Sequence, residues 1–232
     1  MRYIKQGYEI LSDWFNRESV LKSIERAART CYKSEARIGE GTDVKMLKML
    51  LKSDHTAMIE HAPNLSVKFI TNRGVANEIV RHRIFSFAQE SQRYVKYGKN
   101  NDDISFILPE WADKSIANKS YLTFDSIIDL PNKEKILTKA YINEEANYNM
   151  LIALGLKPQA AADVLGRGVK TELVVTGNIR EWLHFFDLRC APDAHPMMRD
   201  LVTPLLLELN KDIPELWGSI VEKYKLGDSN EN

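Results

Sequence analysis

The chain has 232 residues, 44% of them hydrophobic and 28% charged, a balance that excludes a disordered or fibrous protein and a length that can bury a substantial core. Its 32 Lys and Arg offset 32 Asp and Glu, so no global field draws it to nucleic acid or to an anionic membrane. No stretch reaches the ~18 apolar residues of a membrane span, and the two cysteines, Cys31 and Cys190, lie far apart without the spacing of a zinc site or a disulfide framework.

These features predict one cytoplasmic domain in which both cysteines are small buried thiols. Residues 19–34 put Val20, Ile24, Ala27, Ala28 and Cys31 at helical spacing, with Ser19 as N-cap. A second helix is expected over 42–53, capped by Thr42 or Asp43 and burying Met46, Leu47, Leu50 and Leu51. After Pro63, "NLSVKFI" alternates Leu65, Val67 and Phe69 with Ser66 and Lys68, the pattern of a half-buried strand. "VANEIV", from Val75, is helical in pattern and leads into the basic stretch "RHRIFSFAQESQRY" at 81–94. Residues 99–133, rich in Asn, Asp, Lys and Pro, predict a long irregular connection. Helical character returns over 134–154, stops at Gly155 and restarts after Pro158. "KTELVVTG" at 170–177 predicts a strand, and 178–189 a helix with Ile179, Leu183 and Phe186 on one face. A last helix, "HPMMRDLVTPLLLEL", is expected to bend at Pro204, and "GDSNEN" to fray. Two strands among several helices predict an α+β domain, a sheet flanked by helices.

The basic stretch carries the chemistry. Consecutive residues Arg81, His82 and Arg83 cannot share one helical face, so they surround a ligand or face solvent and the carboxylates of Glu78 and Glu90. Arginine forks match phosphate oxygens, while Ser86, Ser91, Gln92 and Tyr94 add neutral donors and acceptors that a solvated charged face does not need. The residues alone therefore describe an anion site with orienting hydroxyls.

RHR, seven residues, Ser, one residue, then Arg-Tyr resembles the signature of the flavin-dependent thymidylate synthases, read here as Arg81-His82-Arg83, Ser91 and Arg93-Tyr94. "AARTCYKS" and "HTAMIEH" upstream, and "TELVVTGNIREWLHFFDLRC" and "AHPMMR" downstream, extend the resemblance over about residues 20–210. It implies an α+β homotetramer with active sites between subunits. The implied reaction makes thymidylate from dUMP, with 5,10-methylenetetrahydrofolate as one-carbon donor and NADPH as reductant through bound FAD. The cofactor set it implies is His55, Arg81, His82, Arg83, Gln89, Asn178, Arg180 and His184. The nucleotide set is Glu78, Arg81, Gln89, Glu90, Ser91, Gln92, Arg93, Glu172 and Arg189, with Ser91, Gln92 and Arg93 as phosphate cradle and Arg189 as the catalytic cation. No metal is expected: six residues separate His55 from His61, which places them on different faces of a helix, and no carboxylate–histidine cluster completes a ligand set.

The chain departs from this pattern in places. Ala88 and Gln89 stand where asparagine and glutamate are frequent, "LGRGV" at 165–169 replaces a common Leu-Pro-Asn-Ser-Thr, and Glu172 stands where some relatives have a nucleotide-binding arginine. A base pocket discriminates strongly when donors and acceptors are exchanged. A sister activity on dCMP, methylation or hydroxymethylation, is therefore a second expectation. A single-stranded nucleic-acid groove, with bases stacked on Tyr94 and Tyr97, is a third that zero net charge opposes.

Overall fold

The computed structural model describes residues 1–93, 97, 104–118 and 121–227. Tyr94, residues 99–103 and 119–120 of the irregular connection and the end of the C-terminal tail lie outside the described residues. The elements in chain order are β1 (Arg2–Ile4), β2 (Gly7–Ile10), α1 (Arg17–Cys31), α2 (Thr42–Lys52), β3 (Leu65–Asn72), α3 (Arg73–Ile79), β4 (Ser86–Gln89) and β5 (Ser105–Ile107). There follow α4 (Asn132–Ala153), α5 (Pro158–Ala161), β6 (Lys170–Gly177), α6 (Ile179–Arg189), α7 (Pro196–Asp212) and α8 (Pro214–Lys223). The fold is α+β. Four strands pair in the order β2-β3-β6-β4, while β1 and β5 form a separate parallel pair in the register Arg2 to Ser105.

Several local features explain where elements start and stop. Asn16, three residues before the expected cap, begins α1: its side chain accepts from Ser19 N at 2.9 Å and its own N–H donates to Ser19 Oγ. Ser19 is thus the reciprocal partner of a capping box rather than the cap. Gly155 ends α4 with a left-handed φ of 91°, as its sequence position predicts. Strand β3 is buried almost throughout, not on alternate faces. Ser66, expected to face solvent, is held by Ser12 Oγ at its N–H and shares a hydroxyl contact with Thr176 at 2.7 Å, so burial leaves it satisfied. Part of the irregular connection is ordered as β5 and a 3-10 turn at Lys114–Asn118.

The chain divides into two compact units. The first comprises Met1–Gly7, Phe69–Arg81 and Ala88–Leu173. Its core gathers Tyr3, Phe106, Leu122, Ile142, Tyr148 and Val169, with Phe106 stacked on Tyr141 at 4.2 Å. The second comprises Tyr8–Lys68, His82–Phe87 and Val174–Asn232. Here Leu21, Ile24, Leu47, Leu50, Trp182, Phe185, Phe186 and Trp217 are buried, and α1 packs on α2 and α7 on α8. Among the described residues no helix is long and apolar enough to cross a membrane.

Gly177, the last residue of β6, lies against the Phe85 ring so closely that a Cβ there would stand 2.2 Å from Cδ1. Phe85 in turn packs on Trp182 at 4.7 Å between ring centroids. Gly177→Ala should therefore destabilise the protein by about 1–3 kcal/mol, the range for an overpacked core. Urea unfolding checks this, and a smaller side chain in Phe85→Leu should recover part of the loss in the double variant.

Candidate functional site

Three groupings of candidate residues emerge, each within one unit. In the second unit, β6 gives way to α6 through Asn178, whose side chain caps the helix by accepting from Glu181 N at 2.9 Å. Positions 181, 185 and 189 then follow at steps of four along one stripe, with 184 beside it. Against this stripe sits His82, only 6% exposed. Its ring lies 4.9 Å from Phe185 and 5.7 Å from His184, centroid to centroid. Arg189 Nε donates to His82 Nε2 at 2.9 Å, and His82 Nδ1 lies 3.4 Å from Glu181 Oε1.

Burial pushes the His82 ring down to about 4, with the Arg189 and His184 charges adding in the same direction. The ring is neutral at neutral pH. Burial raises the Glu181 carboxyl, against an opposing pull from His184. His82, Glu181 and His184 bring their ligand atoms within 4.8 Å of one another, a spacing that a metal ion can use. His82 Nε2 is already engaged by the Arg189 cation, however, which leaves only Nδ1, 3.4 Å from the Glu181 carboxylate. His82 thus differs from Arg81 and Arg83, which are exposed.

The first unit holds the nucleotide set apart from Arg189. Strand β6 presents Lys170 and Glu172 on one face, as i and i+2 must be. Lys170 Nζ reaches Glu172 at 2.6 Å and Glu90 at 2.9 Å, and Glu90 N donates to Glu172 O at 2.9 Å. Burial is the largest single influence on Lys170 and lowers it, but the hydrogen bonds and charges of Glu172 and Glu90 together outweigh it and leave the amine raised. Gln89 Nε2 donates to Thr171 Oγ1, and Ser91 Oγ accepts from Arg93 N at 3.2 Å, a local turn that leaves the serine O–H as a donor. Arg81 follows the end of α3, where its N–H meets Glu78 O.

The third grouping is a cavity of about 320 Å³ in the second unit, lined by Ala28, Cys31, Tyr32, Leu50, Met58, His55 and Arg180 among others. His55 precedes the 3-10 turn Thr56–His61, and Arg180 is tied to Glu60 at 2.8 Å. Cys31, expected to be a buried thiol, is exposed and lines this cavity because α1 ends there; Cys190 is buried as expected, its thiol pushed up to about 11.

The structure thus joins His82, His184 and Arg189 in one place, with Asn178 capping the same helix, His55 and Arg180 in another, and Gln89, Glu90 and Glu172 in a third. Two groups central to this geometry, Glu181 and Lys170, are missing from the set the sequence suggests. The step of four from 181 to 185 to 189, and the step of two from 170 to 172, were the signals that could have found them.

The family model described as thymidylate synthase complementing protein matches residues 15–215. The chain therefore belongs to the flavin-dependent thymidylate synthase family, enzymes of the methyltransferase class. Relatives carrying that name include one from Corynebacterium aurimucosum, 31% identical over 88% of this chain and 83% of its own, and one from Mycobacterium bovis, 30% identical over 90% and 82%. In fold it is similar to the UMP/dUMP methylase PolB from Streptomyces cacaoi, solved with 5-Br dUMP, with a TM-score of 0.73, 20% identity, and 97% of this chain and 98% of that one covered.

The depressed His82 value makes a prediction about stability. Between pH ~6.5 and 4 the unfolded chain takes up a proton at this histidine that the folded protein refuses. Stability from this group is present above that window and lost as pH falls through it; Glu181, raised by burial, shifts in the opposite sense. The fall in Tm on acidification from pH 7 to about 4.5 should be smaller in His82→Asn than in the parent, measured by thermal unfolding; equal falls would contradict the assignment.

Proposed function

We propose that the protein is an FAD-dependent thymidylate synthase, converting dUMP to dTMP with 5,10-methylenetetrahydrofolate as one-carbon donor and NADPH as reductant. It acts in the cytoplasm as a homotetramer with active sites between subunits. The observation that carries the reading is Arg189, half-buried at the end of α6, in the family's position for the pyrimidine arginine, and anchored through Nε on a neutral histidine. A guanidinium has five N–H donors and one is spent on His82. The fixed cation offsets the negative charge that develops on the pyrimidine as N3 ionises, an interaction far stronger in a water-poor site than in bulk water.

The residues suit FAD. Exposed Arg81 and Arg83 supply forks matched to a diphosphate. His55 and Arg180 line a cavity whose Ala28, Leu50 and Met58 walls suit a planar ring. Asn178, having spent its oxygen on the helix cap, keeps amide donors, while exposed His184 and half-buried Gln89 complete the set. Bound flavin supplies the hydride chemistry between NADPH and the pyrimidine. No enzyme thiol has to add to the base, in keeping with a buried Cys190 whose thiol is pushed up to about 11.

For the nucleotide, the Ser91 hydroxyl, Gln92 and the Arg93 guanidinium form the phosphate cradle, with Glu78, Arg81, Gln89, Glu90 and Glu172 around the remainder. Glu172 supports a second reading. A carboxylate accepts from the amino group of cytosine, and this one stands where some relatives carry an arginine and is 42% exposed. That favours dCMP, methylated or hydroxymethylated, as the alternative substrate. For the assembly, exposed Ile136, Met150 and Leu154 along and just beyond α4 support contact with another copy.

One experiment decides among these readings. The purified protein is incubated with FAD, NADPH and methylenetetrahydrofolate, offered dUMP or dCMP, and the products are weighed by mass spectrometry. Thymidylate from dUMP is expected, with kcat falling about 10²–10³-fold in Arg189→Ala, the scale for losing a fixed charge-stabilising donor. A product from dCMP alone would move the assignment to the second reading. A colourless protein that takes up no FAD and binds oligonucleotides in a salt-sensitive way would overturn both. Native mass spectrometry reads the tetramer.

A further inference from the structure

We propose that Glu181 is a positioning residue for Arg189 and acts through His82: its carboxylate fixes which ring nitrogen of His82 carries the proton, and so whether His82 Nε2 can accept from Arg189 Nε. The inference rests on Arg189 acting on the nucleotide as proposed above. Its own basis is the order of three side chains. The His82 and Glu181 side chains are 4% and 7% exposed, and Phe185 and Phe85 lie against the histidine ring at 4.9 and 6.1 Å.

A neutral imidazole has one N–H donor and one acceptor nitrogen, and a guanidinium donates only. Arg189 Nε stands 2.9 Å from His82 Nε2, so Nε2 must carry the lone pair. The proton then sits on Nδ1, and the group 3.4 Å away is the Glu181 carboxylate. The other tautomer turns two N–H groups toward each other at Nε2 and leaves a carboxylate facing a lone pair at Nδ1. Both ends of the ring therefore enforce one tautomer, and buried aromatic neighbours leave little room for water to take over the role of Glu181. The carboxylate also draws the Nδ1–H toward itself and makes Nε2 a better acceptor.

Among the described residues, the charged and titratable groups recorded against His82 are Glu181 and His184 on α6 and Arg189 at its end. An acidic residue in the first turn of α6 also complements the helix dipole. That structural role changes stability but has no bearing on a tautomer. Glu181→Gln separates the two, because an amide oxygen still accepts Nδ1–H without carrying charge.

The test reads the tautomer and the rate in the same proteins. Nitrogen-15 spectra of the labelled histidine ring should show Nδ1 protonated and Nε2 bare in the parent and in Glu181→Gln, and a mixture or reversal in Glu181→Ala. With the cofactor-loaded enzyme, kcat should fall about 10–100-fold in Glu181→Ala with KM for dUMP within about threefold, and Glu181→Gln should stay within about threefold of the parent, as for a lost orienting contact. The double variant Glu181→Ala/Arg189→Ala should be no slower than Arg189→Ala alone, because Glu181 acts only through that arginine. A parent ring protonated on Nε2, an unchanged tautomer and rate in Glu181→Ala, or additive losses in the double variant would overturn the proposal. Should Glu181→Ala fail to fold, the parent tautomer and the Glu181→Gln rate still decide it. A full rate in Arg189→Ala would overturn the catalytic reading of Arg189 instead, while the ring spectra would still decide the hydrogen-bond chain.

Discussion

Arg189 donates through Nε to a histidine that is buried, and this one bond constrains the protonation of everything around it. A guanidinium cannot return the proton, and a second cation in the same pocket meets both the Arg189 charge and the cost of leaving water. His82 answers by staying neutral, its value pulled down to about 4 chiefly by burial. The basic triplet therefore divides by chemistry. Arg81 and Arg83 are exposed cations suited to an anion, and the residue between them is an internal acceptor that holds a third cation in place. A triplet that reads as three basic groups is two exposed cations and one strut.

The strut depends on packing. His82 opens the short segment whose Phe85 ring occupies the space that a side chain at position 177 would need, and His82 O accepts from Phe85 N at 3.0 Å to close the turn. Phe85 meets Trp182, and Trp182 donates its indole N–H to Leu65 O at 3.1 Å. Strand end, turn and helix start are thereby tied together by contacts that have no role in chemistry. Because packed interiors tolerate little change of volume, the ring of His82 is held where its two nitrogens meet their partners. Positioning of Arg189 to a fraction of an ångström is what a fixed cation needs if it is to favour a charge that exists only during reaction.

How far the sequence discloses this follows from what each feature's signal is made of. Long periodic helices and the β-branched run at 170–177 are visible because their burial repeats along the chain. The short strands β1, β2, β4 and β5, of three or four residues, are held by pairing with partners distant in sequence and leave no period to read. The cap of α1 was displaced by three residues because both members of a capping box are good capping types. In the site, the family resemblance picks out both His82 and Arg189. The acid between them carries no mark except a step of four along a face that also buries aromatic residues. Nor can sequence tell that Ser66 finds partners inside, since that depends on Ser12 and Thr176 arriving from elsewhere.

The same limit applies to Glu172, and there the structure adds a physical argument about the nucleotide. Taken alone, a glutamate in place of an arginine reverses a charge where an anion is expected. The structure sets it beside Lys170, which also reaches Glu90, so one cation serves two carboxylates, and these three side chains together carry one formal negative charge. Lysine is a compact donor that swings on a flexible stem, without the planar fork that grips phosphate. A phosphate seated beside this group would meet that residual charge, which shifts the burden of binding it to the Ser91 hydroxyl and the Arg93 guanidinium. The carboxylates in turn are acceptors, useful toward an N–H donor and useless toward a phosphate oxygen. With the nucleotide seated here as proposed, the ladder would favour what it donates, and the departure at position 172 would change what the site asks of its ligand more than weaken binding.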